Sequence, residues 1–138
     1  MERVLFIVTT IESSMKKNVT KAELEKCLNG EWYDCHDEIF LEYMRIARDL
    51  SLKYRTLFYN QKEEKRMILK ELFGHIGENV SVGTPFICDY GCNIYWGNNV
   101  SIHMNCTFVD CNKIEIGNNV CVAVGNPCRV IWEINKDA

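Results

Sequence analysis

A 20-residue repeat in the second half of the chain constrains the fold more than any other feature. The segments IGENV, WGNNV and IGNNV begin at Ile76, Trp96 and Ile116, so the pattern returns twice at the same interval. Repeats of this length are typical of solenoids, in which each repeat stacks on the next and buries a continuous core. An ordinary antiparallel sheet predicts simple alternation without this register, so we expect stacked repeats.

Inside the repeat, large or apolar residues recur every six positions, with a step of eight between sets. This first set is Ile76, Val82, Cys88, Trp96, Ile102, Phe108, Ile116 and Val122. A second set, mostly small or apolar and interrupted by Asn112, follows four places later: Val80, Phe86, Cys92, Val100, Cys106 and Val120. The pattern predicts short strands around a triangular prism, with both sets filling its interior.

The corners of this prism carry residues that suit tight turns. Gly77, Gly97 and Gly117 are expected where a side chain would clash or where φ must be positive. The pairs Asn98-Asn99 and Asn118-Asn119 suit turns because asparagine tolerates the left-handed conformation.

Residues 20–73 instead show helical periodicity. The segment KAELEKCL ends at Asn29-Gly30, and a second helix is expected over 37–60. Its apolar stripe has spacings of three and four: Ile39, Phe40, Tyr43, Ile46, Ala47 and Leu50. A third helix over 62–74 is expected to carry its apolar residues Met67, Ile68 and Leu72 inward. The expected regions are an extension (1–14), a helical region (15–75), a repeat region (76–126) and a terminal strand and tail (127–138).

Composition excludes several classes of partner. The chain has 138 residues, 47% of them hydrophobic, and a formal net charge of −3. Because no basic stripe is present, neither nucleic acid nor a membrane is expected as a partner. The apolar run from Val4 to Ile11 is far shorter than the roughly 20 residues that span a bilayer, and it is a poor secretion signal. We favour Met15 as the natural start, with residues 1–14 as an extension, over a secretion signal. We therefore expect a cytoplasmic protein.

Eight cysteines raise the question of disulfides or metal. In the cytoplasm the thiols are expected to be reduced. No two of them have the C-x-x-C spacing of a structural zinc site, so no metal is expected, although a metal or redox module remains an alternative.

Several longer blocks carry a family resemblance. The segments GEWYDCHDE, LFGHIGENV, PFICDYGCNIYWGNNVSIHMNCTFVD and AVGNPCRVIWEI resemble the maltose and galactoside O-acetyltransferases, which are hexapeptide-repeat acyltransferases. The resemblance runs from about residue 15 to 136. It implies a mainly β fold with N-terminal α: a helical hairpin followed by a shortened left-handed parallel β-helix. It also implies acetyl-CoA as co-substrate, a sugar acceptor such as maltose or a galactoside, and a homotrimer with sites between neighbouring prisms.

The resemblance also assigns roles to four residues. Asp34 matches an aspartate that holds the acceptor sugar, although its place three residues before Asp37 also suits a helix N-cap. Asp89 matches a polar residue of the sugar site, and a turn aspartate is the alternative. His103 stands where the family usually has asparagine beside the acceptor, and a plain surface histidine is the alternative. Arg129 matches an arginine that contacts the phosphates of coenzyme A.

The resemblance further implies that an internal segment is missing. In the family, IGNNV leads into more coils, which carry the catalytic histidine and most of the coenzyme A groove. Here the family's C-terminal ending follows almost at once, with a join near 121–123. Of the remaining histidines, His36, His75 and His103, only His103 is a candidate substitute base. Loss of a general base typically lowers the rate by about 10²–10⁴-fold. The chain is therefore expected to be either an impaired sugar acetyltransferase or a non-catalytic remnant that oligomerises or binds sugar.

Overall fold

Helices come first in this chain and short strands follow. The computed structural model describes residues 17–124 and 129–132, with side chains described over 22–121. The predicted extension (1–14) lies outside these residues. The helices are α1 (Lys17–Leu28), α2 (Glu38–Thr56) and α3 (Lys62–Leu72). The strands are β1 (His75–Ile76), β2 (Val80–Val82), β3 (Phe86–Cys88), β4 (Ile94–Trp96), β5 (Val100–Ile102), β6 (Cys106–Phe108), β7 (Ile114–Ile116), β8 (Val122–Val124) and β9 (Arg129–Trp132).

Helix α2 has the inward face that its periodicity predicts. The Asp37 carboxylate accepts a hydrogen bond from the Ile39 amide and caps the helix. The buried residues are Ile39, Phe40, Tyr43, Ala47, Leu50 and Tyr54. Ile46 is only partly buried, and Tyr54 extends the stripe by one further turn. The helix stops at Thr56, earlier than the predicted residue 60, because Leu57 is extended.

Helix α3 corrects one sequence prediction. Its buried residues are Ile68, Leu69 and Leu72, whereas Met67 is 68% exposed. Each residue turns the helix by about 100°, so a stripe through positions 68, 69 and 72 leaves position 67 on the opposite side. The helix closes at Leu72, two residues before the predicted end.

Three parallel ladders confirm the 20-residue register. Strands β1, β4 and β7 form one ladder, β2 and β5 a second, and β3 and β6 a third. Ile76 pairs with Trp96 and Trp96 with Ile116, so the three copies of the repeat lie in one column. Each segment of one repeat therefore gives one strand to each ladder. We call these segments the first coil (75–93), the second coil (94–113) and the incomplete third coil (from 114).

Corners between the ladders are built from glycine and asparagine. A Cβ atom on Gly77 would overlap the Gly97 carbonyl oxygen, and one on Gly97 would lie 2.6 Å from the Gly117 carbonyl oxygen. Close approach, rather than positive φ, thus explains these two glycines. At these equivalent corners, positive φ values occur two residues later, at Asn79, Asn99 and Asn119, with 54°, 55° and 60°. Asn79 donates to Asn99 and Asn99 donates to Asn119, each at 3.1 Å, in a ladder of side-chain amides.

The core lies where the helices cover the coils. Trp96 is 1% exposed and its ring lies 5.1 Å from Phe73 and 5.4 Å from Phe108, measured between ring centroids. A second buried cluster joins α1 and α2 to the first coil through Cys27, Ile39, Phe40, Tyr43, Tyr90 and Cys92. Both clusters attach the helical region to the coils, so the helices and the first two coils share their interior.

Parallel stacking ends near the join that the sequence predicts at 121–123. The Ser101 amide still donates to the Val120 carbonyl at 2.9 Å, which continues the second ladder into the third coil. Strand β8 then pairs antiparallel with β9. The predicted region boundaries at 15–75, 76–126 and 127–138 remain predictions. In the part of the chain that the structure describes, no helix combines the length and apolar character needed to cross a membrane.

Candidate functional site

The connection from α1 to α2 meets the coils at the corner between β6 and β7, and we call the surface around this junction the cleft. The Cys27 thiol donates to the Cys111 carbonyl oxygen at 3.0 Å, and the Asn112 side-chain amide donates to the Leu28 carbonyl at 3.0 Å. These two bonds span 84 residues of sequence each and hold the helical connection against the second coil. Polar residues of both parts therefore face one another here.

Asp34 lies in the connection from α1 to α2 and keeps its carboxylate on the surface. Its side chain is 67% exposed, and its Oδ1 accepts the His36 amide at 2.9 Å. Its own amide donates to Glu23 at 2.6 Å. The alternative N-cap role for Asp34 is wrong, because Asp37 directly precedes the first helical residue and makes the cap bond.

Asp89 lies on the coil side, at the corner between β3 and β4. Its amide donates to the Phe108 carbonyl at 3.2 Å, and the Cys111 thiol donates to its Oδ2 at 3.6 Å. The alternative role of a turn aspartate belongs instead to Asp110. That carboxylate is fully buried and accepts the Tyr90 amide at 2.9 Å and the Asn93 amide at 3.4 Å. Asp89 thus keeps a carboxylate oxygen at the half-buried edge of the cleft.

Tyr33 and Cys111 also lie at this junction, and the sequence analysis singled out neither of them. Hydrogen bonding to the Cys111 thiol, together with burial, raises the pKa of Tyr33 above its ordinary value. Burial also raises the pKa of Cys111. Both groups therefore remain neutral donors at pH 7 beside the Asp89 carboxylate. The 20-residue register could have pointed to Cys111, because it lies 20 positions after Gly91 of the CDYG block and so belongs to the same corner.

Trp32 is a further residue that the sequence analysis did not single out. Its side chain is 97% exposed, directly before Tyr33 and Asp34. An indole left in water is an unusual use of a large aromatic residue, since such rings are favoured at surfaces that meet a partner.

The predicted histidine lies elsewhere. His103 is exposed at the corner between β5 and β6, whereas Asp89 is at the corner between β3 and β4. The structure therefore does not bring His103 to Asp34 and Asp89 within one chain. His36 is nearer to the predicted acceptor residues, with its Nδ1 3.4 Å from Asp34 Oδ1 and 3.6 Å from the Cys35 thiol. His75 is exposed in β1.

Two predictions remain: a coenzyme contact by Arg129 and the absence of a metal site. Arg129 is the first residue of β9 and pairs with Val124, but its side chain lies outside the described part. Within the described residues, no group of three or more His, Cys, Asp or Glu side chains could hold a metal ion. The described cysteines are free thiols.

Comparison with known proteins identifies similar sequences and structures. Residues 26–77 match the family model of the maltose acetyltransferase hexapeptide capping motif. A protein of Staphylococcus haemolyticus, whose name assigns it to the acetyltransferases, is 40% identical over 89 residues, which are 64% of this chain and 46% of that protein.

Two solved structures extend the comparison to the coils. The maltose O-acetyltransferase of Clostridium difficile 630 superimposes with a TM-score of 0.68 at 35% identity, over 70% of this chain and 52% of that one. A galactoside acetyltransferase in complex with coenzyme A gives a TM-score of 0.66 at 28% identity, over 70% and 48% of the two chains. The chain spans about half the length of these relatives. It is therefore a relative of the maltose and galactoside acetyltransferases, a group built on hexapeptide repeats.

Proposed function

We propose that this chain is an impaired sugar O-acetyltransferase that takes acetyl-CoA as donor and a maltose- or galactoside-like sugar as acceptor. The observation that supports the proposal is the helix–coil junction at which Tyr33, Asp89 and Cys111 lie together, with Asp34 directly after Tyr33 in the chain. Its two carboxylates can accept hydrogen bonds from sugar hydroxyls. The exposed Trp32, two residues before Asp34, offers a flat apolar surface.

The reaction would join a sugar oxygen to the acetyl carbonyl carbon and break the carbon–sulfur bond of the thioester. The sugar hydroxyl must lose its proton during attack, and the coenzyme A thiolate must gain one on leaving. A neutral histidine suits both transfers. We assign the first role to His103 as a substitute base, and contact with the coenzyme phosphates to Arg129. Both assignments rest on the family resemblance.

We further propose that the chain works as a homotrimer of left-handed parallel β-helices in the cytoplasm. Asp89 and His103 occupy different corners of one chain, so a monomer cannot use them together. A cyclic arrangement can place the His103 corner of one copy against the cleft of the next, since each copy repeats the same contact. The related structures support this fold, and the separated corners support an assembled site.

A second candidate is a non-catalytic scaffold that binds sugar or oligomerises. Two observations favour it: the chain spans about half the length of its relatives, and within residues 22–121 the His103 side chain forms no hydrogen bond that would orient a base. A base without an orienting partner is poorly positioned, and positioning contributes a large share of enzymatic rate.

Mass spectrometry of the sugar separates the two candidates. Maltose and a galactoside are each incubated with acetyl-CoA and the folded protein, and the sugars are then weighed. Acetyl transfer that falls about 10²-fold or more in His103→Ala supports the impaired enzyme. His75→Ala is the matched control, because His75 is also exposed on the coils and the family resemblance gives it no role. If the activity depends on His36 instead, the general base is His36, which lies beside Asp34.

Absence of product from either sugar, with the protein folded in the same sample, would exclude the enzyme and leave the scaffold. The scaffold then requires that tryptophan fluorescence change saturably with sugar and that Asp89→Asn weaken the change. Failure of both measurements would overturn the cleft as a sugar site.

A further inference from the structure

A second depression lies on a different part of the surface, between α2 and β3. It is a groove of about 360 Å³ that shares no residue with the cleft. Its lining consists of Arg48, Ser51, Leu52, Arg55, Thr84, Pro85, Phe86, Ile87 and Cys88. The volume falls within the range of roughly 300–1,000 Å³ that is usual for small-ligand sites.

The groove is apolar along its length. Leu52 on the helix and Ile87 on the strand are 64% and 61% exposed, and they lie on its two sides. Pro85 and the buried Phe86 continue this apolar surface along β3. Two large aliphatic side chains left in water beside one channel favour a ligand with an aliphatic part, because such a ligand would remove both from water.

The charges of the groove have one sign. Arg48 and Arg55 line it together with Leu52, at positions i, i+4 and i+7 of α2, so they share one helix face. No carboxylate is among the lining residues. Within the described side chains, neither arginine forms a salt bridge, whereas Arg45 on the adjacent face binds both Glu42 and Asp49. Two unpaired guanidinium groups in a chain of net charge −3 form a local site for an anion.

The walls are held in place by buried contacts. The Tyr54 hydroxyl donates to the Val82 carbonyl at 2.8 Å, and this bond ties α2 to the first coil. Ser51 on the helix and the buried Cys88 on the strand line the same groove. The groove is thus formed before any ligand binds, which reduces the ordering that binding requires.

We propose that this groove binds an amphipathic anion, that is, an aliphatic chain carrying a carboxylate or a phosphate. The aliphatic chain of this ligand lies along Leu52, Pro85 and Ile87, and its anionic group is held by Arg48 or Arg55. Seven residues of helix separate the two arginines by about 10 Å, which leaves room for an aliphatic chain of several carbons between them.

Titration calorimetry with decanoate and decyl phosphate, each below its micelle concentration, tests this proposal on the full chain. Decanol and hexanoate are run beside them. We expect saturable binding of at least one of the two decyl anions, with much weaker binding of decanol and of hexanoate. Arg48→Gln combined with Arg55→Gln should weaken the binding of the decyl anion by about tenfold or more, since a hydrogen bond to a charged group contributes enough for that change. Ile87→Ser should weaken it as well.

Arg45→Gln is the matched control, since it removes an arginine from the same helix without touching the groove. Binding of only one of the two decyl anions would support the proposal and identify the anionic group. The proposal is overturned if neither anion binds saturably, if decanol binds as tightly as decanoate, or if the double arginine variant binds like Arg45→Gln. None of these measurements depends on acetyl transfer, so they stand apart from the proposed function.

Discussion

Asp110 shows how one buried side chain fixes a corner of the coils. Its carboxylate accepts the amides of Tyr90 and Asn93, and the Asn93 side chain returns a hydrogen bond to the Asp110 carbonyl at 2.8 Å. These bonds join the corner of the first coil to that of the second and set the backbone next to Asp89. The cleft therefore depends on a residue that does not itself face it.

Replacement of Asp110 by alanine should lower the free energy of unfolding by about 1–3 kcal/mol, because two backbone donors lose a buried acceptor. Urea unfolding monitored by far-UV circular dichroism measures this loss. Asp49→Ala, on the exposed face of α2, should change stability much less. Equal losses in the two variants would contradict the corner role of Asp110.

The contribution of Asp110 to the free energy of unfolding depends on pH with a definite sign. Burial raises the pKa of Asp110 above its ordinary value of 3.8, although backbone hydrogen bonds oppose the shift. The folded state therefore holds the proton more tightly than the unfolded state, and the stabilisation from this group is lost as pH rises from 3.8 through the raised value. The difference in unfolding free energy between wild type and Asp110→Asn should fall over that interval. A difference that rises with pH would show that the hydrogen bonds outweigh burial.

At the scale of elements, the corners decide whether the coils can stack. Gly77 and Gly97 lie under the backbone of the next coil, and the Asn98 amide donates to Asn118 Oδ1 at 2.7 Å. Gly117 has the same place in its repeat, but within the described residues no atom lies within 4 Å of a Cβ built on it. The same sequence position is thus crowded in two coils and open in the third.

Gly97→Ala and Gly117→Ala form a matched pair on this basis. The new methyl group at position 97 meets the Gly117 carbonyl and Asn118 Oδ1, each at 2.6 Å, so stability should fall by about 1–3 kcal/mol. The same methyl group at position 117 should change stability by less than about 0.5 kcal/mol. Thermal and urea unfolding measure both. Comparable losses would mean that position 117 is covered in the folded protein.

At the scale of the whole molecule, the proposed site is divided between corners. The cleft is formed by the helical connection and the corner between β6 and β7, whereas His103 lies between β5 and β6. One chain cannot bring these two corners together, because the strands of each ladder are held in a fixed register. Any joint action of these residues therefore requires a second copy.

Light scattering coupled to size exclusion should give a mass three times the 16.1 kDa of one chain. Mixing of Asp89→Ala with His103→Ala subunits should restore activity at roughly a quarter of the sites, because in a cyclic trimer one interface in four combines the two intact residues. A monomeric mass would exclude the shared site. A trimer whose mixed variants stay inactive would keep the assembly but reject His103 as its partner residue.

The repeat pattern determined much of the fold by itself. The positions Ile76, Trp96 and Ile116 stack in one ladder as their spacing requires, because a parallel column places equivalent residues one above the other. The buried face of α2 was equally predictable from the sequence, since helical periodicity needs only local information. Residues of the family motif, such as Asp34 and Asp89, were found by resemblance rather than by physical pattern.

Other features depended on contacts between distant segments. Met67 reads as part of an apolar stripe, yet only the packing of α3 against the coils decided which side of that helix is buried. Tyr33 and Cys111 became neighbours through two helix-to-coil bonds that no local spacing encodes. The unpaired arginines of the groove, too, differ from Arg45 only in what lies around them. Periodicity tells which residues share a face, but burial and charge pairing depend on what covers that face, and that is decided when the helices dock on the coils.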